Sequence, residues 1–286
     1  MRIPDVVKAG TLLGMGLPRR ELEALVAGGA YRRIGGGWLV SGAGSPDVVS
    51  ALSRGARLTC LSAAKAVGLW TPPFEGVHVY VRRGCDTPPP PWWGHRPEPR
   101  CWPDRSPIAP VPLLLQHSLR CAGTETAAIL LESAWNLGIL DAAGVADVVG
   151  RLPFKPRTSL SRLRGDAQSG TETRVRRWLE SRRVRVRAQV TIRGVGRVDL
   201  LVGDRWVVEC DSVAHHTGVE SYARDRRRDL ELQRLGYVVT RVSWEQVFLD
   251  WEATRQALTE ILRRGEHRRK VLMASAQVHH GPEGTP

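Results

Sequence analysis

Two short apolar runs, RVDLLV at residues 197–202 and RWVVECD at residues 205–211, flank the turn signal Gly203-Asp204. Val-rich segments around a Gly-Asp pair read as adjacent strands of one hairpin. Strand side chains alternate faces at roughly 3.3 Å per residue, so Glu209 and Asp211 emerge on one face and Asp199 can meet them from the neighbouring strand. Three carboxylates on otherwise buried strands are costly unless a cation neutralises them. Asp199, Glu209 and Asp211 are therefore candidate metal ligands. Mg²⁺ (or Mn²⁺) suits them, because such an ion takes oxygen ligands and keeps several waters. The competing reading leaves each acid at a strand end, solvated or paired with an arginine.

The surrounding pattern predicts a helix over 171–183 (TETRVRRWLESRR), a strand over 184–192, the hairpin, a helix from about Val219 to Leu235, and a strand over 237–242. This αβββαβ order resembles the core of the PD-(D/E)xK, or restriction-endonuclease-like, nucleases. It is most similar to domains related to the very-short-patch-repair endonucleases. The residues that carry the likeness are Glu172, Val198-Asp199-Leu200, Val208-Glu209-Cys210-Asp211, His215, the run from Asp225 to Asp229, and Gly236 to Arg241. The resemblance implies an α/β fold (α+β overall) with a mixed sheet. It also implies a nuclease site with Glu172, Asp199, Glu209, Asp211, His215 and Arg228 in catalytic roles, and phosphate contacts from Arg224 and Arg241. Glu172 has an ordinary explanation as well, since an acid in the first turn of a helix is favoured by the helix dipole.

One departure bears on mechanism. The superfamily usually places a lysine two residues after the strand acid, where this chain has Asp211, and no lysine occurs between Lys155 and Lys270. The related short-patch domains share the Glu-x-Asp form. If the lysine's work is done here, His215, His216, Arg228 and Arg241 are the groups available for it. A histidine just after the carboxylate strand can act as general acid or base near neutral pH.

A formal charge of +13 on 286 residues points to a polyanionic partner, and nucleic acid fits better than a membrane because no amphipathic or lipidation signal accompanies it. The N-terminus lacks an apolar signal core, no run approaches a membrane span, and the five scattered cysteines suit a reducing compartment, so a cytoplasmic location is expected. Cys60 and Cys210 read as small core residues. Cys85, His95, Cys101, His117 and Cys121 fall in one stretch, but they lack CxxC or HxxxH spacing, which argues against zinc.

At the N-terminus, residues 18–28 (PRRELEALVAG) read as a helix with Pro at its start, and YRRIGGGWLV as two short strands around Gly35-Gly36-Gly37. With LTCLSAAKAVGLW (58–70) and GVHVYVR (76–82) downstream, this resembles the winged-helix N-terminal domain of AbiEi-type antitoxins from type IV toxin-antitoxin systems. That likeness implies that Arg19 and Arg20 open a recognition helix and that Arg32 and Arg33 flank a wing, all four meeting phosphates. A toxin partner is a further implication.

Residues 88–112 are proline-rich with Trp92, Trp93 and Trp102 and read as an irregular loop, whereas 124–140 and 141–152 read as helices. The expected organisation is a winged helix-turn-helix at 1–44, a mixed helical middle region at 45–165, a nuclease-like domain at 166–265 and a disordered tail at 266–286. Two function classes follow. One is a Mg²⁺-dependent DNA endonuclease, and the other an antitoxin-like regulator or DNA-binding scaffold whose nuclease fold is inactive.

Overall fold

Short apolar segments punctuated by glycine build the first sheet. The computed structural model describes residues 3–82, 91–96, 105–211, 219–271 and 278–279, with 219–225 and 278–279 as backbone alone. Strand β1 (Val6–Lys8) leads into helices α1 (Ala9–Gly14) and α2 (Arg19–Ala27). Strands β2 (Tyr31–Ile34) and β3 (Trp38–Ser41) then complete an antiparallel sheet in the order β1-β3-β2. Val7, Leu12, Leu22, Tyr31 and Leu39 pack into one core. Between β2 and β3 the chain reverses through Gly36 at φ +71, a conformation that glycine adopts without steric cost.

Helix α3 (Pro46–Ser53), β4 (Arg57–Leu58), α4 (Cys60–Ala66), β5 (Val77–Tyr80) and β6 (Trp92–His95) follow, with a second sheet ordered β4-β5-β6. Strand β6 was not expected, since it lies inside the proline-rich stretch. It pairs parallel to β5 with His78 opposite Trp93 and Tyr80 opposite His95. Its four residues contain no proline, so every donor that the ladder needs is present. Helix α5 (Val111–Asn136) is broken at Gly123, and α6 (Ala142–Gly150) and α7 (Phe154–Ser159) succeed it.

Two compact units result, Met1–Leu130 with Ala143–Ser161, and Leu131–Ala142 with Arg162–Pro286. The second contains α8 (Gly170–Ser181), β7 (Val186–Ile192), β8 (Gly196–Val202), β9 (Trp206–Asp211), α9 (Val219–Arg234), β10 (Val238–Ser243), α10 (Trp244–Phe248), α11 (Trp251–Arg263) and β11 (Val278–His279). Its sheet runs β10-β9-β8-β7-β11, with β10 parallel to β9 and the other pairs antiparallel. The mixed α/β fold and the αβββαβ order are those expected from the sequence.

Each face of this sheet has its own core. Leu200, Val202, Trp206, Val208 and Cys210 pack with Val175 and Leu179 of α8, while Leu201 and Val207 pack with Leu232 and Leu235 at the end of α9. Alternation along β9 therefore places Glu209 and Asp211 on the face that Val207 shares with α9. The β8–β9 turn depends on Gly203, whose φ is +60 and where a Cβ would lie 2.0 Å from the His267 carbonyl oxygen. Residues Glu266–Arg268 form a helical turn, with Glu266 bonded to Arg205, rather than belonging to a loose tail. Residues 272–277 and 280–286 lie outside the described residues.

An ion network anchors α8. Arg176 and Glu132, both fully buried, form a salt bridge, and Arg176 also reaches Glu180 at 2.9 Å. Thr173 Oγ1 donates to Glu132 at 2.7 Å, so the buried carboxylate is matched on both oxygens. No helix among the described residues is long and apolar enough to cross a membrane.

Candidate active site

The β8–β9 ladder stops at the pair Leu200–Val208. One residue further along, the backbone donors turn to side chains instead of to the opposite strand's carbonyls. The Asp199 N–H donates to Glu209 Oε2 at 3.0 Å, and the Cys210 N–H donates to Asp199 Oδ2 at 2.8 Å. Each carboxylate thus satisfies a buried amide on the partner strand, which holds both acids where the strands part. Glu209 is 3 % exposed, and burial, then the charge of Asp199, pushes its carboxyl up to about 7.

Glu172, in the first turn of α8, caps its own helix and also joins the acids. Its amide donates to Ser169 Oγ at 3.1 Å, and its carboxylate accepts from Ser169 Oγ and from the Gln168 N–H, each at 3.1 Å. Burial, reinforced by the nearby Asp199 charge, lifts the Glu172 carboxyl to about 7. A fourth participant was missed from the sequence. Gln189 Nε2 donates to Glu172 Oε2 at 2.7 Å, and Gln189 sits on β7 with φ +53. Strained non-glycine backbone of this kind persists where the surroundings over-determine it. The only sequence signal for Gln189 was an amide inside a strand otherwise bordered by arginines and valines.

Among the described residues, two arginines pair with these acids. Arg228 Nη2, from α9, lies 2.7 Å from Glu209 Oε1. Arg241, opposite Glu209 on β10, reaches Asp211 Oδ1 at 3.1 Å and Asp229 Oδ1 at 2.7 Å. Burial works against the Arg241 charge, yet Asp229 and then Asp211 hold its guanidinium above its ordinary proton affinity. Asp211 is thereby drawn toward β10, while Asp199 and Glu209 lock to each other's strands. His215 and His216 lie outside the described residues, as does the side chain of Arg224.

Asp199 and Glu209 are the residues here that could hold a divalent ion. Asp199 and Glu209 offer two carboxylates on adjacent strands, and the buried Oε1 of Gln189 beside Glu172 has no hydrogen-bond partner. An orphaned buried acceptor calls for a water or an ion. Mg²⁺-type ions need only one or two carboxylates plus waters.

Residues 172–262 match a restriction-endonuclease-like family, REase_MTES_1575. The matched segment runs from Glu172 through α11 and contains every one of these acids and arginines. It is a nuclease-like domain. No curated protein matches the chain.

In the first unit, Arg19 and Arg20 are exposed at the start of α2, and Arg32 and Arg33 are exposed on β2. Arg33 pairs with Glu23 at 2.7 Å. Of the cysteine and histidine stretch considered for zinc, Cys85 and Cys101 lie outside the described residues, whereas His95, His117 and Cys121 lie close together with Cys60 and His78.

Proposed function

We propose that the chain is a divalent-metal-dependent DNA endonuclease, with its chemistry in the nuclease-like domain and its N-terminal residues acting as a winged helix that binds DNA. The observation that carries this reading is the reciprocal lock between Asp199 and Glu209 where the β8–β9 ladder ends, within the segment matched to a nuclease family.

Asp199 and Glu209 would hold Mg²⁺ or Mn²⁺, with Asp211 acting through Arg241 at the edge of the site. When bound, the ion supplies Lewis-acid polarisation of the phosphate and a more acidic water. Glu172, whose carboxyl titrates near 7, can accept the proton of the attacking water, with Gln189 fixing the carboxylate's orientation. The water oxygen bonds to phosphorus as the opposite P–O bond breaks, and the leaving oxygen takes a proton. His215 is the proposed donor. Arg228, beside Glu209, would meet charge developing on the phosphate, the work usually given to lysine.

On the DNA-binding side, α2 serves as recognition helix and the β2–β3 hairpin as wing. Support comes from the element order β1-α1-α2-β2-β3 and from the exposure of Arg19, Arg20, Arg32 and Arg33. Arg224 and Arg241 are proposed as further phosphate contacts of the nuclease-like domain.

A second reading has an observation of its own. Arg228 on Glu209 and Arg241 on Asp211 balance two acids from within the protein, as an inactive scaffold or antitoxin-like regulator would do with the remains of a metal site. Incubating the full chain with supercoiled plasmid and mismatched duplexes in Mg²⁺, Mn²⁺ or EDTA separates the two. Metal-dependent cleavage that is absent in Glu209→Ala supports the endonuclease, whereas tight binding without cleavage in any metal supports the scaffold.

A further inference from the structure

Four soft ligands meet in the first unit, and hydrolysis uses none of them. Cys60 opens α4, His78 lies on β5, His95 lies on β6, and Cys121 lies on α5 before its break at Gly123. The ligand atoms, one per residue, all lie within 4.8 Å of one another. His78 Nδ1 stands 3.1 Å from His95 Nε2 and 3.7 Å from Cys121 Sγ. Tetrahedral zinc, with Zn–N near 2.0 Å and Zn–S near 2.3 Å, sets its ligand atoms roughly 3.3–3.8 Å apart. Those two separations already sit close to that range, and drawing in the remaining ligand atoms requires a contraction of about 1 Å.

The chemistry of the set selects the ion. Two thiols and two imidazoles suit zinc, whereas Mg²⁺ and Ca²⁺ take oxygen donors, and the set contains no carboxylate. Partners beyond the four hold the rings in place. His117 stacks on His95 with centroids 5.1 Å apart and bonds Thr59 Oγ1 through Nδ1 at 2.8 Å, while His78 hydrogen-bonds the Glu75 backbone. Such outer contacts fix the orientation of ligating histidines. Cys60 itself has φ +51, an unfavourable conformation for a residue with a Cβ that marks a constraint on its position.

We propose that Cys60, His78, His95 and Cys121 bind one Zn²⁺ as a structural site that ties α4, β5, β6 and α5 together. The second sheet of this unit has three strands, and a closed four-ligand site would add folding energy to it. The proposal is independent of the nuclease reading.

The test uses the full chain, purified without a histidine tag or chelator and carrying Glu209→Gln throughout so that the carboxylate site does not hold zinc, with its metal content measured before and after Zn²⁺ addition and gel filtration. One zinc per chain is expected, and Co²⁺ exchange should give the visible absorption of a tetrahedral site together with a thiolate charge-transfer band. Because Cys121 is exposed, Cys121→Ser should fold and yet bring the metal content to background and abolish the charge-transfer band. His95→Gln should do the same. Cys210→Ser, and the double variant Cys85→Ser, Cys101→Ser, should keep the full complement. In that Glu209→Gln chain, background zinc after Zn²⁺ addition, retention of zinc on adding Cys121→Ser, or a Cys60–Cys121 disulfide in place of the metal would each overturn the site.

Discussion

Arg228 Nη2 lies 2.7 Å from Glu209 Oε1, so an α9 guanidinium stands against a strand acid that is almost wholly buried. Arg228 opposes the upward push that burial and Asp199 exert on that carboxyl. Removing it by Arg228→Ala should raise the Glu209 proton affinity further and move the acidic limb of the pH–rate profile upward. The turnover number should fall about 10²–10³-fold, the usual effect of losing a preorganised transition-state donor. Arg228→Lys should recover part of the rate and most of the pH shift. An unmoved profile and an unchanged turnover number in Arg228→Ala would reduce this arginine to a surface cation.

Stability should depend on pH through Glu172. Its folded carboxyl titrates near 7, above the ordinary 4.5, so the folded state binds the proton more tightly than the unfolded one. The favourable contribution is full below about 4.5 and is lost as pH rises through about 7. Buried histidines such as His95, near 3, and His117, near 4, act in the opposite sense, so the useful readout is the difference from a variant. Without added divalent metal, Glu172→Gln should match the wild type near pH 5 and exceed its stability by roughly 2–3 kcal/mol at pH 8. Denaturant titrations at both pH values check this, and a gap that does not change with pH would show that Glu172 acts only as a helix cap.

Asp211 should matter to metal binding less than its neighbours do. Its Oδ1 accepts from Arg241 at 3.1 Å, whereas Asp199 and Glu209 face each other across the parting strands. Calorimetric Mg²⁺ titrations should show affinity falling several-fold in Asp211→Asn and well over tenfold in Asp199→Asn. Equal losses would make Asp211 a direct ligand. No loss at all in Asp211→Asn would leave it a solvated strand end.

DNA binding should weaken unequally on the proposed wing. Arg33 already pairs with Glu23 at 2.7 Å, while Arg32 is exposed beside it, so Arg32→Glu should cost more affinity than Arg33→Glu. Each lost phosphate contact should flatten the slope of log affinity against log salt by about 0.9. If low-salt titrations give identical affinities for wild type, both variants and a chain lacking residues 1–40, the N-terminal unit does not bind DNA.

The parts of this chain that could be read from sequence are those encoded locally. The Gly203 turn and the alternation around Glu209 fix a hairpin within about a dozen residues, and Glu172 falls where a helix begins, so the acids could be placed before any tertiary contact was known. Gln189 could not be placed, because its role depends on a left-handed backbone turn in the middle of β7. The bond between Glu132 and Arg176 joins residues 44 apart, and nothing in either segment signals it. The same holds for the cysteine and histidine set. His78 is 43 residues from Cys121, and its side chain meets that of His95 only because β6 forms within a stretch whose prolines suggest a loop. Metal-ligand spacing is a sequence signal only when the ligands share one turn or one hairpin.

The endonuclease reading meets its most direct test in single-turnover cleavage of DNA by the wild type, Asp199→Asn and Glu209→Gln, each in Mg²⁺, in Mn²⁺ and in EDTA. The wild type should cleave only with metal, and both variants should fall at least about 10³-fold while keeping wild-type DNA affinity. Cleavage that persists in both variants, or a wild type that binds DNA and leaves it intact in either metal, would contradict it.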